Sequence, residues 1–553
     1  MFKRDWNSRT ATYLLMVTIT GFVITEVLLS LTPPISRDAL IHHLAIPKLW
    51  LLHGGFYEMP WAEFSYYPMN IDLLYLVSLS FHNDIAPKVI HLLFGLGTGM
   101  LLYSYLKNRF GHNWGLLGFL IFFSTPVVVN LSTTAYVDLG MTFFTTASIL
   151  ALVKWRDGGC SSMTWLLLSA LCMGLAAGSK YNAMIAWCFL NLMVVFYYSR
   201  ERGRGVPALG FGAVFFIVAF LLVSPWYVKN YILTANPIYP LFDTFFTSLH
   251  NGGDGIVAAA GNKMTAGIFQ RREMMFGEGF LETLMVPLRI FFQGKDGSAQ
   301  YFDGVMNPLL VVMLPFAFLG KNRGRDNALF LSFSLFYLLT ACFLTVIRVR
   351  YILPIIPTLA ILSVMGIKNS IEWTEMQTGK TRQIGRIGMC VIVIMLVTGN
   401  CLYLKDYFRS IQPVGYILNQ ETRDDFLSRH LGNYPAVRYV NENLPDDARI
   451  CLIFLGRRGY YLDRVYRHDQ SFGMNTISSM VEASKNRKEF RTYLQSMHST
   501  HVLLRIDLLH KYLQDNYQEE TIITFLNRVR EYWNPIYESN GYGLYELPVT
   551  EEY

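Results

Sequence analysis

The stretch "GLAAGSKYNAMIAWC", residues 174–188, places Lys180 inside a run from Ser161 to Ser199 that holds no other charged residue. A charge at the centre of a bilayer costs at least about 2.5 to 3.5 kcal/mol on insertion scales. One helix needs about 20 apolar residues to cross, so the 39 residues of this run read as two spans with Lys180 at the tip of the hairpin between them. There its ammonium either extends to the interface or meets an opposite charge.

The rest of the chain repeats this pattern. Of its 553 residues 52% are hydrophobic and 16% charged, and apolar runs of span length recur, which makes it a polytopic α-helical membrane protein. The first run, Thr12 to Leu31, follows Lys3, Arg4 and Arg9 with no small-residue cleavage signal before "TPP" at 32–34, so it is expected to be an uncleaved anchor. Further spans are expected near 85–106, 114–130, 136–153, 162–179, 182–198, 208–228, 306–320, 328–346, 351–367 and 387–404, about eleven in all. The net charge of +7 sits in short basic clusters between these runs, a topology signal rather than a nucleic-acid surface. With the N-terminus inside, one face collects 17 Lys and Arg residues, and the short turns on the other carry only Lys180, Arg348 and Arg350. The tail from Lys405 then lies outside. Seven scattered cysteines without a C-x-x-C pair support neither a disulfide framework nor a thiolate metal site.

The same parity gathers Asp38, Asp138, Lys180, Arg348 and Arg350 at outer span ends. Asp38 opens "ISRDALIHHLAIPKLWLLHGG" (35–55), whose apolar residues recur at helical spacing, as in an amphipathic helix lying on the outer surface. It is either a helix cap or a carboxylate directed into a cavity, and Asp138 at the start of its span poses the same choice. Glu26 is the only acid embedded in the first span, either paired in the bundle or lining a cavity. A long connection, residues 229–305, is expected to form a lid, its Arg271, Arg272 and Arg289 solvated by default. From Lys405 the pattern changes to alternating helical and strand-like segments ending in a hairpin turned at Asn540-Gly541, an outer α/β domain. The expected domains are therefore 1–404, in the membrane, and 405–553, outside it.

Five blocks in order, "SRDALIHHLAIPK", "VDLGMTFFTTASILAL", "GLAAGSKYNAM", "PWYVKNYILTANPIYPLF" and "RYILPIIPTLAIL", resemble the membrane glycosyltransferases of the C superfamily. The likeness is to the bacterial branch related to protein mannosyltransferases and to the aminoarabinose transferase of lipid A. It implies transfer of a sugar, with inversion, from a polyprenyl-phosphate donor to a lipid, glycan or protein acceptor on the outer face of a bacterial inner membrane. It also implies Asp38 as catalytic carboxylate and Asp138 as the acid that supports it. Lys180, Arg348, Arg350 and Lys229 would bind the donor phosphate, and His42, His43, Tyr181 and Asn230 would line the substrate pocket. No organic cofactor is expected. Many relatives carry a second acid directly after the first; Ala39 stands there in this chain, which leaves a divalent cation an open question. The alternative class is a secondary transporter or lipid-linked sugar flippase, whose key charges belong at mid-membrane.

Overall fold

The computed structural model describes residues 9–548 apart from 204, 251–266, 320–323, 345, 470 and 472. The chain divides into two compact units, one of Met1–Thr32, Tyr67–Ile71 and Ala86–Val414, the other of Pro33–Tyr66, Asp72–Ile85 and Gly415–Tyr553.

The first unit is helical. Its main elements are α1 (Arg9–Ser30), α2 (Ala86–Phe110), α3 (His112–Phe123), α4 (Pro126–Ser132), α5 (Asp138–Asp157), α6 (Met163–Ala177), α7 (Ala183–Arg202), α8 (Gly205–Thr234), α9 (Arg325–Leu344), α10 (Ile356–Glu375) and α11 (Gly379–Ile411). Among the described residues seven helices are long and apolar enough to cross a membrane, or eight when a bent pair counts as one span. The chain is a multi-pass membrane protein. Each of the eleven expected stretches contains helix, but two of them are broken at prolines. The run 114–130 divides into α3 and α4, bent by 72°, because Pro126 restricts Thr125 to an extended conformation. The run 306–320 yields only the short helices Leu309–Val312 and Pro315–Phe318.

Helices α6 and α8 approach backbone to backbone. A Cβ on Gly174 would stand 2.6 Å from the carbonyl oxygen of Ala219 and 2.9 Å from its Cα, the small-residue contact that lets membrane helices pack closely. The long connection is folded where it is described. Helices Ile268–Phe276, Phe280–Leu284 and Val286–Arg289 follow one another, while most of "HNGGDG" falls outside the described residues. Arg272 is not solvated: it is fully buried and grips Glu278 at 2.6 and 2.8 Å, with Arg289 on the same carboxylate at 3.1 Å.

The second unit joins the first loop to the tail. Its sheet has the order β2-β1-β3-β5-β4, from β1 (Arg449–Ile453), β2 (Val465–Arg467), β3 (His501–Arg505), β4 (Asn534–Ser539) and β5 (Tyr542–Glu546). The three strands β2, β1 and β3 are parallel, and β5 and β4 are antiparallel additions. The β4–β5 turn has positive φ at Asn540 (52°) and Gly541 (77°), as a two-residue hairpin of this twist requires. Ile453, Ile477, Phe490, Val502 and Phe525 form its core. Helix α11 runs unbroken past Lys405, and this unit resumes only at Gly415.

The single amphipathic helix expected over 35–55 is instead a π-helical turn, Ala39–His43, followed by an α-helix, Ala45–His53. Pro47 has no N–H to give to the His43 carbonyl, and Leu44 N–H reaches back five residues to Ala39 at 2.9 Å. Of the apolar residues in that stretch, Leu40, Leu44, Ala45 and Trp50 are buried, whereas Leu51 and Leu52 are exposed.

Two outcomes are expected. Gly174→Val should part α6 from α8 and cost about 1 to 3 kcal/mol, read as a lowered thermal midpoint in detergent. In the second unit, burial pushes His468 down to about 4. An unfolded histidine takes up its proton near pH 6.5, so stability should fall as pH drops from about 6.5 to about 4. His468→Gln should flatten melting midpoints across that window.

Candidate functional site

Helix α5 begins at Asp138 without help from its own cap residue, since Val137 has no polar side chain. His91 of α2 supplies the missing partner. Its Nε2 accepts the Leu139 N–H at 2.9 Å, and its Nδ1 faces the carbonyls of Leu131 and Thr134 at 2.8 and 3.0 Å. These partners assign a neutral ring with its proton on Nδ1. With the helix start satisfied in this way, the Asp138 carboxylate is released from capping.

That carboxylate answers the charge on Lys180. The Lys180 Nζ donates to Asp138 Oδ1 at 2.7 Å, and the Asp138 side chain is 0% exposed against 16% for Lys180. The second oxygen, Oδ2, is buried with no hydrogen-bond partner among the described residues. Arg350 lies near enough to act on the same carboxylate. Its guanidinium stands 5.4 Å from the Tyr136 ring and 5.5 Å from that of Tyr351, and Lys180 Nζ stands 5.7 Å from Tyr351. One carboxylate thus faces two cations along an aromatic wall. These three side chains carry two positive charges against one negative in a place largely shielded from water, an arrangement that favours an anion.

The turn that carries Lys180 is held from both sides. Asn70 N–H donates to the Gly178 carbonyl at 2.8 Å, and Trp226 Nε1 donates to Asn70 Oδ1 at 2.7 Å. Tyr181 and Asn230, far apart in sequence, meet here: Asn230 Nδ2 donates to the Tyr181 hydroxyl at 3.2 Å, which in turn donates to the Tyr239 carbonyl at 3.0 Å. Lys229 lies 5.2 Å over the Trp226 ring. Arg348 diverges from Arg350 and pairs with Asp303 at 3.2 Å. Glu26 is paired inside the bundle, accepting a short hydrogen bond from the Ser132 hydroxyl. Among the described residues no group of three or more His, Cys, Asp and Glu side chains is arranged to hold a metal ion.

In the second unit, Asp38 is half-buried at the N-terminal edge of the π turn and makes no capping bond through its side chain. The rings of His42 and His43 lie against each other, their centroids 4.0 Å apart, and each has a further partner. His43 Nδ1 meets Asp72 Oδ1 at 2.7 Å, both buried, while His42 stacks on Phe64 at 4.2 Å. The tail of the chain fixes this segment. Tyr460 N–H donates to the Leu40 carbonyl at 3.2 Å, the Tyr461 hydroxyl donates to the Pro34 carbonyl at 2.7 Å, and Lys48 donates to the carbonyls of Tyr460 and Leu462 and to Asp463 at 2.8, 2.9 and 2.7 Å.

Residues 55–237 match the family of dolichyl-phosphate-mannose-protein mannosyltransferases. The fold resembles that of ArnT from Cupriavidus metallidurans, with a TM-score of 0.56 and 12% identity over 97% of this chain and 98% of that one. The family model thus covers about a third of the chain, and the solved structure shares its fold along nearly the whole length. The same fold appears in ArnT from the same organism bound to undecaprenyl phosphate, at TM-score 0.54 and 13% identity over 97% of this chain and 98% of that one. The Archaeoglobus fulgidus oligosaccharyltransferase tethered with an acceptor peptide shares it at TM-score 0.54 and 11% identity, over 99% of this chain and 75% of that one. Among curated proteins none matches.

Two buried ionisable residues of α2 escaped the sequence reading. One is His91. The other is Lys88, buried on α2, which donates to the carbonyls of Leu29 and Thr32 at 2.9 Å each and to the Thr32 hydroxyl at 3.0 Å. Their spacing of three puts both on one face of α2, and two ionisable groups at the start of an apolar helix were the available signal. The ion pair itself yields a prediction. Removing one partner of a buried pair costs about 3 to 5 kcal/mol, because the other charge is left uncompensated. Lys180→Met and Asp138→Asn should therefore each lower the thermal midpoint. The double variant should recover part of the loss; strictly additive losses would show that the two charges do not depend on each other.

Proposed function

We propose that the protein transfers a sugar from a polyprenyl-phosphate donor to an acceptor hydroxyl, inverting the anomeric carbon. The observation that carries this reading is the Asp138, Lys180 and Arg350 group, two cations facing one largely shielded carboxylate whose second oxygen has no hydrogen-bond partner among the described residues, on a fold shared with an ArnT bound to undecaprenyl phosphate.

In the proposed reaction the acceptor oxygen attacks the anomeric carbon as the bond from that carbon to the phosphate oxygen breaks. The electron pair leaves on the phosphate, and the acceptor proton passes to Asp38 as general base. A single displacement of this kind inverts the centre. Lys180 and Arg350 stabilise the charge that grows on the departing phosphate, Lys180 as a compact point charge and Arg350 as a planar fork. Asp138 positions Lys180. Arg348 and Lys229 take supporting places toward the phosphate, and Tyr181, Asn230, His42 and His43 shape the substrate pocket. The acceptor is a lipid, a glycan or a protein. The membrane is a bacterial inner membrane, with the basic clusters in the cytoplasm and the tail on the far side.

The test is purified protein with a panel of undecaprenyl-phosphate sugars, read as release of undecaprenyl phosphate. No release from any donor would overturn the proposal. Asp38→Asn, which keeps the size of the side chain and removes its basicity, should lower turnover about 100-fold or more. Lys180→Arg should bind donor better than Lys180→Met, which should lose about 10- to 150-fold. For orientation, a cysteine introduced at exposed Glu520 should react with an impermeant thiol reagent applied from outside intact cells.

A further inference from the structure

At the opposite end of α5 from Asp138 lies a cavity of about 510 Å³ between α2, α5 and α6, within the range of about 300 to 1,000 Å³ typical of ligand sites. Lys154 in its lining is 16 residues beyond Asp138, or about 24 Å along the helix at 1.5 Å per residue, so the cavity is separate from the proposed phosphate cluster.

Its lining is of two kinds. Part of it is apolar, from Leu101, Ala147, Leu150 and Leu168, while Asn108, Arg109, Lys154 and Asp157 line it from the last turns of α2 and α5. Trp165 and Leu168 are 39% and 41% exposed on the bundle flank, so the groove opens sideways toward lipid rather than into a water-filled channel. The charge in this second part does not cancel. Arg109 and Arg156 share Asp157 and Asp326: Arg109 meets Asp326 at 2.6 Å and Asp157 at 3.4 Å, and Arg156 meets Asp157 at 2.7 Å and also bonds Asp326. Two arginines are thereby balanced by two aspartates. Lys154 is exposed and has no ion pair among the described residues. The surplus among these side chains is one positive charge beside an apolar slot, on the membrane face that carries the basic clusters.

We propose that this groove binds an anionic phospholipid of that leaflet, an acyl chain lying between α2, α5 and α6 and the headgroup phosphate meeting Lys154 and Asn108. A zwitterionic lipid would satisfy the slot equally well but not the charge, and a free anion would satisfy the charge but not the slot. Basic pockets between membrane helices on the cytoplasmic side suit anionic headgroups for this reason. The proposal stands independently of the sugar-transfer reading.

The test uses the full chain, purified and delipidated in detergent, with lipid retention counted by native mass spectrometry. Phosphatidylglycerol and phosphatidylethanolamine of matched chains are added separately, and sn-glycerol 1-phosphate is added as a competitor. The expected result is about fivefold higher retention of phosphatidylglycerol, corresponding to one nearby lysine, with no displacement by glycerol phosphate. Lys154→Gln should abolish that preference without lowering retention of phosphatidylethanolamine. Ala147→Phe, which fills the slot, should lower retention of both lipids. Equal retention of the two lipids by the unmodified chain, an unchanged preference in Lys154→Gln, or displacement by glycerol phosphate would each overturn the proposal.

Discussion

The region around the start of α5 depends on one ion pair placed where water is scarce. A buried pair gains little net stability, because desolvation offsets most of the Coulomb attraction, but losing either member leaves a charge that nothing compensates. Several neighbouring features follow from holding Asp138 and Lys180 together. His91 takes over the capping of α5, so that the carboxylate is free to turn toward Lys180. The turn before Lys180 is fixed through Gly178, Asn70 and Trp226. A Cβ at Gly178 would lie 2.0 Å from the Asn70 amide nitrogen, so only glycine lets that contact close. The result is a cluster prepared for an anion before any anion arrives, and such preorganisation is the main source of electrostatic catalysis.

The membrane architecture was legible because hydrophobic length is written directly in the sequence. What the sequence hid was where helices break, and the reason is local. Pro126 and Pro47 act through single N–H groups and through the residue before them, effects that a window of twenty apolar residues averages away. The hairpin carrying Lys180 and the turn at Asn540-Gly541 were readable because their signals are short and specific. Of the site, the residue types were readable and the partners were not. Nothing in the sequence says that Asp138 pairs with Lys180 rather than capping α5, since that choice is made by a histidine 47 positions earlier. The alternate directions of Arg348 and Arg350 are likewise set by Asp303 and Tyr136, which lie far from them in the chain.

The second unit shows the same dependence on distant sequence. The loop carrying Asp38 is not an appendage of the first membrane span but shares a compact unit with the last 139 residues. Lys48 binds three oxygens of the 460–463 turn. Burial draws its proton affinity below the ordinary lysine value, and Asp463 acts against that shift. The α/β tail, which carries no evident catalytic constellation of its own, is thereby a scaffold for the segment that holds Asp38.

The π turn at Ala39–His43 sets a rule for how this segment can change in length. A π turn contains one residue more than the α turn it replaces. Because the wider turn takes up that extra residue locally, deleting one residue between Asp38 and Leu44 would restore ordinary α geometry and leave Asp38 close to its present direction relative to Lys48. The same deletion in the α-helix that follows, between Ala45 and Lys48, has no such slack and would turn the carboxylate by about 100° relative to the lysine. Homologous loops that keep the acid and the lysine can therefore differ by one residue across the π turn, but not within the α-helix after it.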